Sequence, residues 1–184
     1  MQLPNLSFVD TDGGPLIVIP HRVLGRWDGV HPPRDGRRID VPWQFDKTGP
    51  ATDYDRACNA PSPVSTIDVG GAAALVLGSY IDNAAWLPLG HGAAVGAFVR
   101  VESVDDKPAL LAMVERVVYD GDEGEVIRWR IDDCLRLMDA TVDGLVSAAE
   151  GIDINVPAGD YDVYTSKHRD RAVGEVVLHR LERR

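Results

Sequence analysis

The chain has 184 residues, 45% of them apolar, with a formal net charge of −10, so one sizeable core or two closely packed halves can be buried. The charge is uneven: −2 over residues 1–100, −11 over Glu102–Asp162 and +3 over the rest. A nucleic-acid partner is disfavoured, because phosphate binding needs a basic footprint. No run approaches the ~18 apolar residues of a membrane span, and the opening Met1–Leu6 lacks the basic-then-apolar layout of a signal peptide.

A cytoplasmic protein is therefore expected, with no membrane partner. Cys58 and Cys134, the only cysteines, are expected to be unbridged core thiols in a reducing compartment. The acidic middle of the chain serves solubility or complements a basic protein partner.

In chain order, Leu6–Val9 and Pro15–Pro20 are expected as two strands of a first hairpin around Asp10–Gly14. His21–Arg26 suits a helical turn, and Trp27 before Asp28-Gly29 reads as a packing anchor on a turn. Residues 30–51 are the least patterned stretch, rich in proline and carrying Arg34-Asp35-Gly36-Arg37-Arg38. Its centre, Val41-Pro42-Trp43-Gln44-Phe45, is too apolar for a free linker and is expected to pack on the body. A loop this long is unusual in a compact domain unless it is functional or mobile.

Thr52 or Asp53 can cap a short helix over Asp53-Tyr54-Asp55-Arg56-Ala57-Cys58, which Pro61 and Pro63 must end. Val64–Val69 and Ala72–Leu77 form a hairpin across Gly70-Gly71. Trp86–Pro88 and Ala93–Val101 read as the next strands. Leu110, Leu111, Val114, Val117 and Val118 recur at helical spacing behind Pro108, giving the clearest helix and a handover to strand near Val117. After the turn around Asp120, Asp122 and Glu123, Ile127, Trp129 and Ile131 alternate on one face. Leu135–Ala140, Ile152–Val156, Asp160–Thr165 and Val173–Leu181 follow as strands.

These elements predict a strand-dominated α+β fold of ten to thirteen strands. Its antiparallel sheets lie in two packed halves, 1–95 with loop 30–51 and 96–184 with the one clear helix, sharing a core as a single compact unit. Trp27, Cys58, Trp86 and Trp129 are the expected structural anchors.

The chain carries no phosphate-binding glycine loop, HExxH or CxxC. The five histidines have no ligand-like spacing, and the Asp120–Glu123 turn lacks the final bidentate Glu of a calcium loop. No metal, cofactor or catalytic set is expected. A Cys58 nucleophile would need a histidine within reach, and no local signature supplies one.

The ordered segments Gly13–Pro20, Trp27-Asp28-Gly29, Asp53–Cys58, Ala74–Gly78, Ala84–Pro88, Leu137–Ala140 and Pro157–Val163 resemble the immunity protein 21 family of bacterial polymorphic toxin systems. Residues 30–51 are longer than the family pattern leads one to expect. The resemblance implies a non-enzymatic immunity protein that neutralises a cognate toxin by direct binding. Asp53, Tyr54, Asp55 and Arg56 are then candidate toxin contacts or, alternatively, a structural lock with Arg56 tying the loop to the sheet. Asp120, Asp122 and Glu123 are further candidates, and the acids of 102–162 would mimic phosphate toward a basic nuclease toxin. The rival reading is a ligand-binding or regulatory β-rich domain with Trp27, Trp43 and Trp86 lining an apolar pocket.

Overall fold

The computed structural model describes residues 6–12, 14–78, 83–91, 94–101, 107–118, 124, 126–147, 150–170 and 174–184. The described strands are β1 (Phe8–Asp10), β2 (Leu16–Pro20), β3 (Val64–Val69), β4 (Ala72–Leu77), β5 (Asn83–His91), β6 (Ala94–Val101), β7 (Val126–Ile131), β8 (Leu135–Asp139), β9 (Ile152–Ile154), β10 (Gly159–Asp170) and β11 (Gly174–Arg183). They form two antiparallel sheets, the first in the order β1-β5-β6-β11-β10-β7 and the second β3-β4-β2-β8-β9. A 3-10 helix (His21–Arg26), α1 (Asp53–Cys58) and α2 (Lys107–Val117) complete the α+β fold. No described helix is long and apolar enough to cross a membrane.

Four layers follow from how apolar side chains alternate along the strands. Leu16, Val18, Leu75, Leu77, Leu135 and Leu137 of the second sheet meet Val9, Phe98, Trp129, Tyr161, Val163 and Leu181 of the first. On the outer face of the first sheet, Leu87, Val99, Val101, Val176 and Leu178 receive Leu110, Met113, Val114 and Val117 of α2. On the outer face of the second, Ile17, Ile19, Val76 and Met138 receive Val23, Trp27, Tyr54 and Ala57. The continuous apolar run of β2 has its reason here. It is central, covered on both faces, and all five of its residues are buried.

The β3–β4 hairpin turns at Gly70-Gly71, both at positive φ (59° and 84°), as a two-residue primed turn requires. The expected hairpin of the first two strands does not form. β1 pairs with β5, Phe8 opposite Ala85, while β2 pairs with β4 and β8. Val9 and Leu16 thus meet across the sandwich from opposing sheets rather than lying side by side on one. Nor is either sheet built from one half of the chain, because strands from both sides of residue 95 enter each. α2 does not hand over to a strand at Val117, since Val118 N still donates to Val114 O at 2.9 Å. Cys58 and Cys134 are half-buried rather than sealed in the core.

The first sheet also encloses two basic side chains. Arg100 is 1% exposed and donates to the Gly78 carbonyl, and burial pushes its pKa down to about 10. His179 shares a 2.9 Å hydrogen bond through Nδ1 with its cross-strand neighbour Thr165 Oγ1. Complete burial, reinforced by Arg100, holds its pKa well below the ordinary histidine value. The folded protein therefore refuses a proton that the unfolded chain accepts. The contribution of His179 to stability is full above about pH 6.5 and falls below it by up to about 1.4 kcal/mol per pH unit, until the folded imidazole itself titrates. Urea unfolding at pH 7.5 and 5.5 is expected to show a steeper loss for the wild type than for His179→Gln. Parallel losses would remove His179 as the source.

Candidate functional site

The site grows from Thr52-Asp53-Tyr54-Asp55. Six residues are too few for a helix stable by itself, and α1 is fixed at its start by a capping box. Asp55 N donates to Thr52 Oγ1 at 3.3 Å, and Thr52 N returns to Asp55 Oδ2 at 2.8 Å. The remaining oxygen of Asp55 accepts from Phe45 N at 2.7 Å. One carboxylate thus starts the helix and holds the loop.

Asp53 is 0% exposed and works the same way. Its Oδ2 accepts from Asp28 N at 3.0 Å and from the Arg37 guanidinium, and its Oδ1 from Arg56 Nη1 at 2.9 Å. Asp28, 2% exposed, pairs with Arg34. Arg37 also donates to Arg26 O at 3.1 Å, and Arg56 reaches the Asp68 carbonyl on β3. Two buried aspartates and three arginines therefore staple residues 30–51 to the second sheet. Asn59 Nδ2 adds a 2.7 Å bond to Trp43 O.

The consequence lies outside. Backbone atoms of Trp43 and Phe45 are tied down while much of each ring stays in solvent: Trp43 is 48% exposed and Phe45 68%. The centre of the loop packs on the body as expected, but through its main chain and one edge of Phe45, with much of both rings left exposed. Trp43 and Phe45 stand edge to face at 6.4 Å, and Phe45 rests edge to face at 5.7 Å on the buried Tyr54, leaving a ridge of two exposed rings on an aromatic footing. Beside it a groove of about 330 Å³ is lined by Val30, Pro32, Phe45, Pro50 and Tyr54. A second groove of about 450 Å³ carries Arg26, Arg37, Arg38 and Arg56 against Asp35, Asp40 and Asp68. Contiguous exposed aromatics on a fixed backbone are the makings of a protein-binding surface.

Among the residues singled out in the sequence, Asp53, Tyr54 and Asp55 are turned inward, and Arg56 bridges Asp53 to β3. Asp120, Asp122 and Glu123 lie outside the described residues. Elsewhere in the acidic block Asp132, Asp143, Asp153, Asp160 and Asp162 each face an arginine, so these five form no bare acidic face. Trp27 is fully buried, with Nε1 donating to Ala140 O at 3.1 Å, and Trp129 Nε1 donates to Ala73 O at 2.9 Å. Trp86 packs on Phe98 at 4.9 Å. Trp27, Trp43 and Trp86 thus occupy three separate environments. The Cys58 thiol is pushed above its ordinary pKa by burial, against a hydrogen bond from Tyr54, which makes it a poor nucleophile.

Fold and site together define a two-sheet α+β protein with a stapled, aromatic-tipped loop. Residues 7–172 match the model of the immunity protein 21 family, and the chain belongs to that family. No curated protein and no solved structure matches it significantly.

Proposed function

We propose that this protein is a non-enzymatic inhibitor that stays in the cytoplasm of the producing bacterium and neutralises a cognate toxin by binding it directly through the Trp43–Phe45 ridge. The observation that carries the reading is the half-exposed pair of rings on a backbone that Asp55 and Asn59 hold in place. A preorganised aromatic pair loses little entropy on binding, and large anchors of this kind dominate interface energies. The groove between Val30 and Tyr54 would seat an apolar side chain of the toxin. Membership of the family supplies the class of partner. The basic character anticipated for that partner rests on net charge alone, and the ridge itself asks for an apolar anchor.

The test is binding and growth rescue against the toxin encoded beside this gene. Trp43→Ala with Phe45→Ala is expected to weaken binding by about 100-fold or more, the loss of two anchors of about 2 kcal/mol each before non-additivity. The urea stability of that variant should stay within about 0.5 kcal/mol of wild type, as for surface changes generally. Affinity should depend only weakly on salt, and protection should be stoichiometric. A double variant that protects as well as wild type would sink the assignment of this face.

A further inference from the structure

At the opposite end of the same sheet, His21, Cys134 and Asp153 bring one ligand atom each to within 4.8 Å of the others. Strand pairing places them there. Pro20 pairs with Leu135 at the last step of the β2–β8 ladder. Just past it, His21 N donates to Cys134 O at 2.8 Å. Arg136 pairs with Asp153 across β8–β9. Alternate residues of a strand share a face, so Arg136 lies with Met138 on the outer side of the sheet, and Asp153 on the side away from the core-facing Ile154. His21, opening the 3-10 helix, and Cys134, one residue before β8, stand just past the strand ends. Leu135 and Ile154 point the other way, into the core.

We infer that His21 Nε2, Cys134 Sγ and a carboxylate oxygen of Asp153 form a zinc-binding site independent of the toxin-binding face. Imidazole, thiolate and carboxylate together suit zinc, and three protein ligands leave a position for water. His21 Nε2 lies 2.6 Å from Asp153 Oδ1, and the ion would replace the proton between them. Arg136, itself buried, holds the same oxygen at 2.7 Å and donates to Ser147 O at 2.9 Å. Outer partners that fix a ligating carboxylate in this way are a regular part of metal sites. The side chains of His21 and Asp153 are 34% and 49% exposed, so an ion has a path in. On binding, the S–H bond of Cys134 gives way to an S–Zn bond, and its proton leaves to solvent. His21 ligates as the neutral tautomer whose single proton has moved from Nε2 to Nδ1, leaving Nε2 free for the ion.

The experiment is titration of the reduced, metal-stripped full chain with Co²⁺ and then Zn²⁺. The expected result is uptake of a single ion with a thiolate-to-cobalt charge-transfer band in the near ultraviolet. That band should be displaced by Zn²⁺, kept in Cys58→Ser and lost in Cys134→Ser. His21→Ala and Cys134→Ser should each weaken Zn²⁺ binding by more than about 100-fold, beyond what loss of an outer partner costs. Zn²⁺ should raise the melting temperature of wild type but not of Cys134→Ser. No uptake by wild type, uptake without the thiolate band, or affinity unchanged in Cys134→Ser would each overturn the site. If Cys134→Ser fails to fold, survival of the band in Cys58→Ser together with the loss of affinity in His21→Ala decides the matter.

Discussion

Asp53→Ala is expected to destabilise the protein by about 3 kcal/mol, read as a shift in urea midpoint at unchanged slope. Removing this carboxylate leaves Arg37, Arg56 and the Asp28 amide without their shared acceptor. Breaking a buried pair from one side costs about 3–5 kcal/mol. The two arginine side chains are 29% and 25% exposed, so water recovers part of their solvation and the lower end applies. Asp53→Asn keeps the shape and loses the charge, with an expected cost of about 2 kcal/mol. In the Asp53→Ala background, Arg37→Met should cost less than it does in the wild type, because the Asp53 contact has already gone and only those to Asp28, Asp35 and the Arg26 carbonyl remain to be lost. Additive losses for Asp53 and Arg37 would mean that the two do not act together. On the proposed function, toxin binding should fall with Asp53→Ala as well, since the loop bearing Trp43 and Phe45 loses its staple.

The second large effect is expected at Gly29. Its φ is +58°, and an added Cβ would stand 2.2 Å from the Thr141 carbonyl oxygen, a main-chain atom that cannot swing aside. Gly29 O accepts from Tyr54 N at 2.9 Å, and Val30 N donates to Thr141 O at 3.1 Å. Gly29→Ala pays left-handed strain of about 1–2 kcal/mol and disturbs two hydrogen bonds worth about 1 kcal/mol each, so a loss of about 3 kcal/mol is expected. Gly36 is the control: its φ is +72° but nothing lies within 4 Å of a Cβ there. Alanine at that position should cost only the strain. Thermal or urea unfolding of the two variants side by side would show the difference, and equal losses would remove the contact with Thr141 as its cause.

Much of this was legible in the sequence wherever the signal is local. Thr52 and Asp55 announce the start of α1, Gly70-Gly71 the β3–β4 turn, and the spacing of Leu110, Val114 and Val117 the helix α2. Sheet membership was not legible, because alternation gives which side chains share a face but not which strand lies alongside. Phe8 found Ala85, not a residue of β2. The staple was half visible. Asp53, Arg56 and the arginines of residues 30–51 stood out, but charge pattern alone does not tell an aspartate facing solvent from one that gathers Arg37, Arg56 and an amide. The exposure of Trp43 and Phe45 is hidden for a related reason: hydrophobicity argues for burying rings, whereas here bonds to their main-chain atoms hold the loop and leave the rings in solvent. His21, Cys134 and Asp153 are too far apart in sequence for any spacing rule to connect them.

The central position of β2 has a consequence in time. Its neighbours are β4 and, far later in the chain, β8, and Trp27 on the layer above reaches Ala140 across 113 residues. Topologies of this kind fold slowly, because distant segments must meet before any contact rewards them. On a ribosome adding roughly 5–20 residues per second, the apolar run Leu16–Pro20 waits on the order of 10 s for its last partner to emerge. Until then its flank is open to chaperones and to other nascent chains. If the family role holds, a cell cannot draw protection from chains still being made, and a reserve of finished molecules has to precede the toxin.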